Sequence, residues 1–360
     1  MMRVTGRIWR AATVESTDVA LTDVPTIVAD ADRLLWLDLT DPDDAAVTAL
    51  AGALGIDASA VEDALGSHER VQLHRYAHYW SVIAYSATMD RDAAAQGHES
   101  RLVRSPVSAF VLPRALITIH DGGFDPATLA ERWDDGQEDL ALGVGTLLHA
   151  FLDVLVDGHF ETLQVLDEVV DNTEDIVFSG KVDQNSFPQA IHQVRSELAE
   201  LRRIVLPMRE VVAAIQRHRL IAGELAAGRQ VSPLLAHAAL APDAGPGGDT
   251  VVISPGLDPL FDDLYDHVLR ATEWTDSLRD LVSSVFETNL SLQDARLNQV
   301  MKKLAGWAAV IAVPTAITGW FGQNIPYWGF GAISGLVASI VLIVGLSGGL
   351  YLILRHYDWI

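Results

Sequence analysis

Hydrophobic positions in the first 120 residues recur at two periods, every second residue in short β-branched or aromatic runs and every third or fourth in the stretches between them. "GRIWRAATV", "RLLWLDLTD", "HYWSVIAYSATMD", "PVSAFVLP" and "ALITIHDG" predict strands, and "DDAAVTALAGALG" and "ASAVEDALG" predict helices with aspartate caps. An α/β sheet domain over residues 1–138 is expected. The pattern turns helical over 139–221, where one run to residue 179 and a second from "FPQAIHQ" flank the turn "SGKVDQNS" and are expected to lie antiparallel. Residues 222–256 contain "APDAGPGGDTVVISPG", too rich in Gly and Pro to extend a helix, and predict a flexible loop.

From Asp258, with Pro259 in the first turn, a helical pattern runs without internal proline or glycine to Gly306. Leu264, Val268, Ala271, Thr275, Leu278, Val282, Val285, Asn289 and Leu292 follow a 4-3-4-3 spacing, a heptad seam. A helix of about 60 residues is roughly 90 Å long, so helices of several subunits are expected to stand side by side as a stalk over 257–303; the alternative is a lone helix lying across its own domain. Two uncharged runs follow, 304–321 and 330–354, each long enough to cross a bilayer. They predict two transmembrane helices joined by a short loop, 322–329, and followed by a tail, 355–360.

On the same long helix a second series, Glu287, Ser291, Asp294, Asn298, Met301, Ala305, Ala308, Ala312, Thr315 and Gly319, keeps three-or-four spacing. It is polar before the first span and small within it, whereas the other faces of the span carry Leu304, Trp307, Val310, Ile311, Val313 and Ile317. Close helix packing would account for the alanines and glycine, but it does not require Asn298, Asp294 and Glu287 to continue the same line. That continuity points to the lining of a narrow pore formed by several copies. Pro314 is expected to loosen the helix near its outer end.

Charge sharpens this picture. The chain has a formal net charge of −23, while Lys302, Lys303, Arg355 and Asp358 leave residues from 301 onward at +2, so residues 1–300 carry −25 (−23 less the +2). Such a surface excludes nucleic acid and tolerates divalent cations. The N-terminus lacks the apolar stretch of a signal peptide. Lys302 and Lys303 before the first span and Arg355 and His356 after the second place both termini in the cytoplasm of a cell membrane. The loop within "TGWFGQNIPYWGFG" then lies on the outer face, its aromatics suited to the interfacial belt. Gly331/Gly335 and Gly345/Gly349 have the small-xxx-small spacing of close helix packing. With no cysteine, any metal would be held by oxygen or imidazole. The twelve histidines are scattered, and the densest set, His68, His74 and His78, sits at a strand entry, where packing or surface roles fit better than metal binding. No phosphate loop, metalloprotease helix or nucleophile elbow is present, so an enzyme is not expected and a membrane-anchored scaffold is a weak alternative.

The segments "WLDLTDP", "AVEDALGSHERVQLHRYAHYW", "ALITIHD", "RRIVLPMREVV", "FDDLYDHVLRATEWTDSLRDLVSS" and "LNQVMKKLAGWAAVIAVPTAITGWFGQN" together resemble the CorA-type magnesium transporters. The resemblance implies a homopentamer with a cytoplasmic α/β funnel, a first span that lines the pore and a second that surrounds it. The family's Gly-Met-Asn signature falls on Gly322, Gln323 and Asn324, with Asn324 as a ring of neutral oxygens for a hydrated ion at the outer mouth. Its pore positions fall on Asn298, Met301, Leu304, Ala312 and Thr315, much the same line as the stripe. Its regulatory metal positions match Asp263 and Asp90, where Mg²⁺ held between subunits would keep the pore closed, making Mg²⁺ both substrate and regulatory ligand. Gln323 departs from the signature methionine, the loop lacks the acidic residues many members carry, and Ala312 replaces a bulkier apolar residue. A divalent-cation channel for Mg²⁺, with Co²⁺ or Ni²⁺ as variants, is therefore the expected function, and a Zn²⁺ transporter of the same fold, proton-coupled or not, the alternative.

Overall fold

The structure is a computed structural model and describes residues 2–66, 70–90, 101–135, 137–179, 186–226, 251–323 and 326–360. It divides into two compact units, Met1–Val282 and Ser283–Ile360.

The first unit is built on a seven-stranded sheet. Strands β1 (Arg3–Arg10), β2 (Thr13–Ser16), β3 (Arg33–Thr40), β4 (Gln72–Arg75), β5 (Trp80–Met89), β6 (Leu102–Leu112) and β7 (Ala115–His120) lie in the order β2-β1-β3-β7-β6-β5-β4. Only β3 and β7 pair in parallel; the other neighbours are antiparallel. The run "GRIWRAATV" is two strands rather than one, because Ala11 and Ala12 take left-handed backbone angles and turn the chain back on itself. Helices α1 (Val24–Ala29) and α4 (Pro126–Asp135) went unread in the sequence. The former is a six-residue turn with no room for a periodic pattern, and the latter has a polar mean composition.

β3 is buried along almost its whole length, as a central strand covered on both faces must be. Its alternation still sorts the side chains. Leu35, Leu37 and Leu39 join the core beneath α1, α2 (Asp44–Leu54) and α3 (Ala58–Leu65). Trp36, Asp38 and Thr40 point to the opposite face, where Trp133 of α4 stands edge-on against Trp9 and Trp36 at 5.6 and 4.8 Å. Asp38 is fully buried there and is not left bare. It accepts from Thr118 Oγ1 at 2.6 Å and Thr40 Oγ1 at 3.0 Å, and His120 Nε2 lies 3.2 Å away.

Two long helices continue this unit, α5 (Val144–Ser179) and α6 (Phe187–Ala226). His159 of α5 is buried over the sheet and donates from Nε2 to the Tyr85 carbonyl at 2.9 Å; burial drives its pKa down to about 4, so the ring is neutral. The helical run from 139 begins instead with a 3-10 turn, and the α-helix starts beyond Gly143, whose φ of +87° breaks the pattern. Part of the loop expected over 222–256 is packed: Val251, Ile253 and Leu257 are buried, and Leu257 and Ile253 close on Gly145, where a Cβ would come within 2.7 Å. Residues 227–250 lie outside the described set.

Helix α7 (Asp258–Phe321) is continuous over 64 residues. The long helix expected from the sequence is present, and the first part of its seam is covered within the chain. Leu264, Val268, Ala271, Thr275, Leu278 and Val282 are all at most 2% exposed within a single chain. This part of the helix is held to α5 and α6 by His149 against Phe261, Phe160 against His267 and Trp274, and Arg202 bonded to Asp276 at 2.7 Å. Up to Val282 the heptad therefore records packing inside the protomer.

In the second unit, α8 (Ile333–His356) packs on the apolar end of α7. Trp307 meets Tyr351 at 6.2 Å, and the chain end folds back so that a Cβ on Gly306 would sit 2.8 Å from Ile360. The glycine pairs do not serve helix packing within the chain. Gly331 precedes α8 with φ +72°, Gly335 lies against the Gly329 carbonyl, and a Cβ on Gly345 or Gly349 would meet open space.

Candidate functional site: the span helix and its outer bridge

Gly306, Val310, Val313, Pro314, Ile317 and Phe321 are the buried or half-buried positions of α7 between residues 304 and 321, and they recur at helical spacing. At about 100° per residue they define the face that α8 covers. The series Met301, Ala305, Ala308, Ala312, Thr315 and Gly319 lies about 200° away around the same helix, and every member is exposed. Glu287, Ser291, Asp294 and Asn298 continue that line, also exposed. Leu304, 63% exposed, sits beside it, nearer to Trp307 and Ile311.

Exposure alone does not single out the stripe, because Trp307, Ile311 and Trp320 are exposed as well. Size and polarity do. The bulky exposed side chains flank the line, while the line itself holds methyl groups, one hydroxyl and one glycine through the apolar run. Thr315 donates its hydroxyl to the Ile311 carbonyl at 3.1 Å, and Thr318 donates to Pro314 at 2.8 Å, so both hydroxyls are satisfied within the helix while their lone pairs remain open. Pro314 has no N–H for the Val310 carbonyl, yet the helix runs on to Phe321.

The bridge between α7 and α8 begins as a helix ending. Gly322 N–H bonds the Thr318 carbonyl at 2.8 Å, and Gln323 follows, exposed. Tyr327 ties the bridge down, donating to the Phe321 carbonyl at 3.2 Å and standing edge-on to Phe321 and Phe330 at 5.0 and 5.3 Å. Trp328, by contrast, is 83% exposed. Asn324, the signature amide, lies outside the described residues.

The two regulatory candidates sit apart in sequence on different elements of the first unit. Asp263 is in the second turn of α7 with its side chain 68% exposed, 3.7 Å from His267 Nε2. Asp90 follows β5, exposed, with its backbone N–H bonded to Arg101. Among the described residues no group of three or more His, Asp or Glu side chains could hold a metal within the chain. Burial pushes the Asp153 carboxyl up, despite Arg132 at 2.9 Å, and pushes down the ring of His149, which is within electrostatic reach of Asp263. Of the densest histidine set, His78 bonds the Gly55 carbonyl at 2.8 Å and His74 bonds Gln72, while His68 lies outside the described residues.

Both α7 and α8 carry a run apolar and long enough to cross a membrane. The chain is similar to known proteins along most of its length. It is 26% identical to the cobalt/magnesium transport protein CorA of Thermotoga maritima, over 91% of this chain and 87% of that one. The complete structure of the CorA magnesium transporter of Methanocaldococcus jannaschii covers 99% of this chain and 98% of its own, with a TM-score of 0.70 at 20% identity. The cytoplasmic domain of ZntB from Vibrio parahaemolyticus is a more distant likeness in fold, with a TM-score of 0.53 at 10% identity over 81% of this chain and 98% of its own. Residues 31–243 and 248–356 match the family described as CorA-like Mg2+ transporter protein, and the chain belongs to that family of divalent-cation transporters.

Proposed function

We propose that this protein carries Mg²⁺ across a cell membrane as a homopentamer whose α7 helices surround the ion path. The observation that carries the reading is the placement of the stripe. α8 covers one face of the span, and the small and polar residues occupy the opposite face, where copies of α7 can converge on an axis. Glu287, Asp294, Asn298, Met301, Leu304, Ala308, Ala312, Thr315 and Gly319 then line the path. Gly322 and Gln323 lead to Asn324, whose amide oxygens replace part of the shell of a still-hydrated ion.

Self-association has separate support. Leu290, Leu297, Val300 and Met301 are between 45% and 62% exposed, yet they precede Lys302 and Lys303 and fall among Asp294, Arg296 and Asn298. Lipid does not cover such a segment, so other copies of the chain must. Both termini are cytoplasmic by the placement of Lys302, Lys303 and Arg355. Asp263 and Asp90 are exposed on separate elements, and Mg²⁺ bridging them to carboxylates of neighbouring subunits holds the pore shut until cytoplasmic Mg²⁺ falls.

The experiment is ion entry into proteoliposomes that contain a Mg²⁺ indicator, with parallel Zn²⁺-reporting vesicles and an Asn324→Leu variant. Mg²⁺ entry abolished by the substitution supports the reading. Zn²⁺ entry without Mg²⁺ moves the substrate to zinc and makes Gln323 the next residue to test, and entry of neither ion refutes transport.

A further inference from the structure

In a chain that carries 48 acidic residues against 25 basic ones, one groove of the first unit is lined, among the described residues, by five arginines and no carboxylate. Arg70 comes from the segment just before β4, Arg104 from β6, Arg202 and Arg203 from α6, and Arg279 from α7, around a volume of about 580 Å³. Such a concentration of guanidinium groups repels itself unless an anion stands among them. The protein supplies one. Asp276 accepts from Arg202 Nε at 2.7 Å and from Arg279 at 3.2 Å, and Arg202 first, then Arg279, hold its carboxyl below the usual range. Among the described residues one carboxylate faces five guanidinium groups, Arg104 lies over the Tyr85 ring at 5.8 Å, and neither Arg70 nor Arg203 has an ion pair.

We propose that this groove is a binding site for an anion with two or more linked phosphate groups. The reasons are chemical. Guanidinium is the side chain that grips phosphate oxygens in pairs, and the donors approach from three elements, so that one isolated phosphate cannot reach them all. The volume is that of a small-molecule site, several times what a single tetrahedral ion fills. An acidic surface of another protein would meet the exposed rim but not the concave floor formed by Ile204 and Pro207. The inference is independent of the pore reading, since it rests on residues that the ion path does not use.

The test is calorimetric titration of the full-length protein in nanodiscs, in magnesium-free buffer with chelator, using inorganic diphosphate, ATP and sulfate as separate probes. Saturable binding of diphosphate or ATP, and much weaker binding of sulfate, is the expected result. Diphosphate as good as ATP locates recognition in the phosphates alone, and ATP much better than diphosphate adds a contact to the nucleoside; either supports the site. The double variant Arg104→Glu/Arg203→Glu is expected to lose at least about tenfold in affinity, whereas Arg217→Glu, the same charge change on α6 outside the groove, is expected to lose little. Arg203→Ala, milder and at an exposed position, serves if the double variant does not fold. No saturable binding by the unaltered protein overturns the proposal. So does sulfate bound as tightly as diphosphate, or an equal loss in Arg217→Glu.

Discussion

The pore reading makes a directional prediction about α7 that the absence of cysteine from the chain makes simple to test. Single cysteines placed at Ala308, Ala312, Thr315 and Gly319 are expected to react with a small charged thiol reagent added from water, and their modification is expected to block Mg²⁺ flux. Cysteines at Val310, Val313 and Ile317, on the face covered by α8, are expected to react slowly and leave flux intact. The contrast can be sized. Reaction needs the thiolate, whose ordinary pKa is about 8.5, so a water-lined thiol at pH 7.5 is about one-tenth ionised. Enclosure between apolar helices raises that pKa by two units or more, which lowers the ionised fraction about a hundredfold before access is counted. Reactivity plotted against position must therefore peak on one face, with the minimum about 200° away. A maximum on the α8-covered face, or equal rates on both, refutes the assignment, whatever the ion proves to be.

Four further outcomes follow from particular contacts. Glu197 is fully buried and binds Arg101 through its backbone N–H and both ends of its guanidinium; Glu197→Ala strands that cation and should cost about 3–5 kcal/mol, seen as a lower melting temperature by circular dichroism in detergent. His159 has a native pKa of about 4 against about 6.5 unfolded, so the unfolded state binds more protons between those values. Stability is then complete above about pH 6.5 and falls by up to about 3 kcal/mol as pH drops toward 4, a slope that denaturant titration should find reduced in His159→Gln. Gly335→Ala places a methyl 2.4 Å from the Gly329 carbonyl and must push the outer bridge aside; thermal unfolding should show a loss of about 1–3 kcal/mol, and the initial rate of Mg²⁺ entry should fall with it. Asp263→Asn should leave Mg²⁺ entry intact in low internal Mg²⁺ while raising the internal concentration needed to stop it, measured on vesicles preloaded with a Mg²⁺ series.

What the sequence could disclose was whatever follows from near-neighbour spacing. β3, β5, β6 and β7 were visible because their side chains alternate or run continuously apolar, and the two spans because no charge interrupts them. The stripe was visible because helical periodicity puts its members on one side without reference to any other part of the chain. The arginine groove shows the opposite case. Positions 70, 104, 202, 203 and 279 have no common spacing, and only the meeting of sheet, α6 and α7 assembles them. Asp38 likewise reads as a polar flaw in a strand until Thr118 and His120 are brought beside it from β7.

The heptad seam marks where periodicity stops being informative. A 4-3-4-3 pattern states that one face of a helix is covered, and it is silent on whether the cover comes from the same chain. Here α5 and α6 supply it as far as Val282, which removes the seam as support for a multi-chain stalk. The case for several copies passes instead to the side of α7 that the seam leaves open. Val285 and Asn289 are buried at 4% and 5%, while Glu287 and Ser291, across the helix from them, are exposed. From there to Gly319 the uncovered side carries acids and amides first, then alanines, a threonine and a glycine. A surface of that kind, continuous through an apolar span, is what the proposed pore requires: small enough for copies of α7 to approach one another and polar enough below the span to meet water and ions.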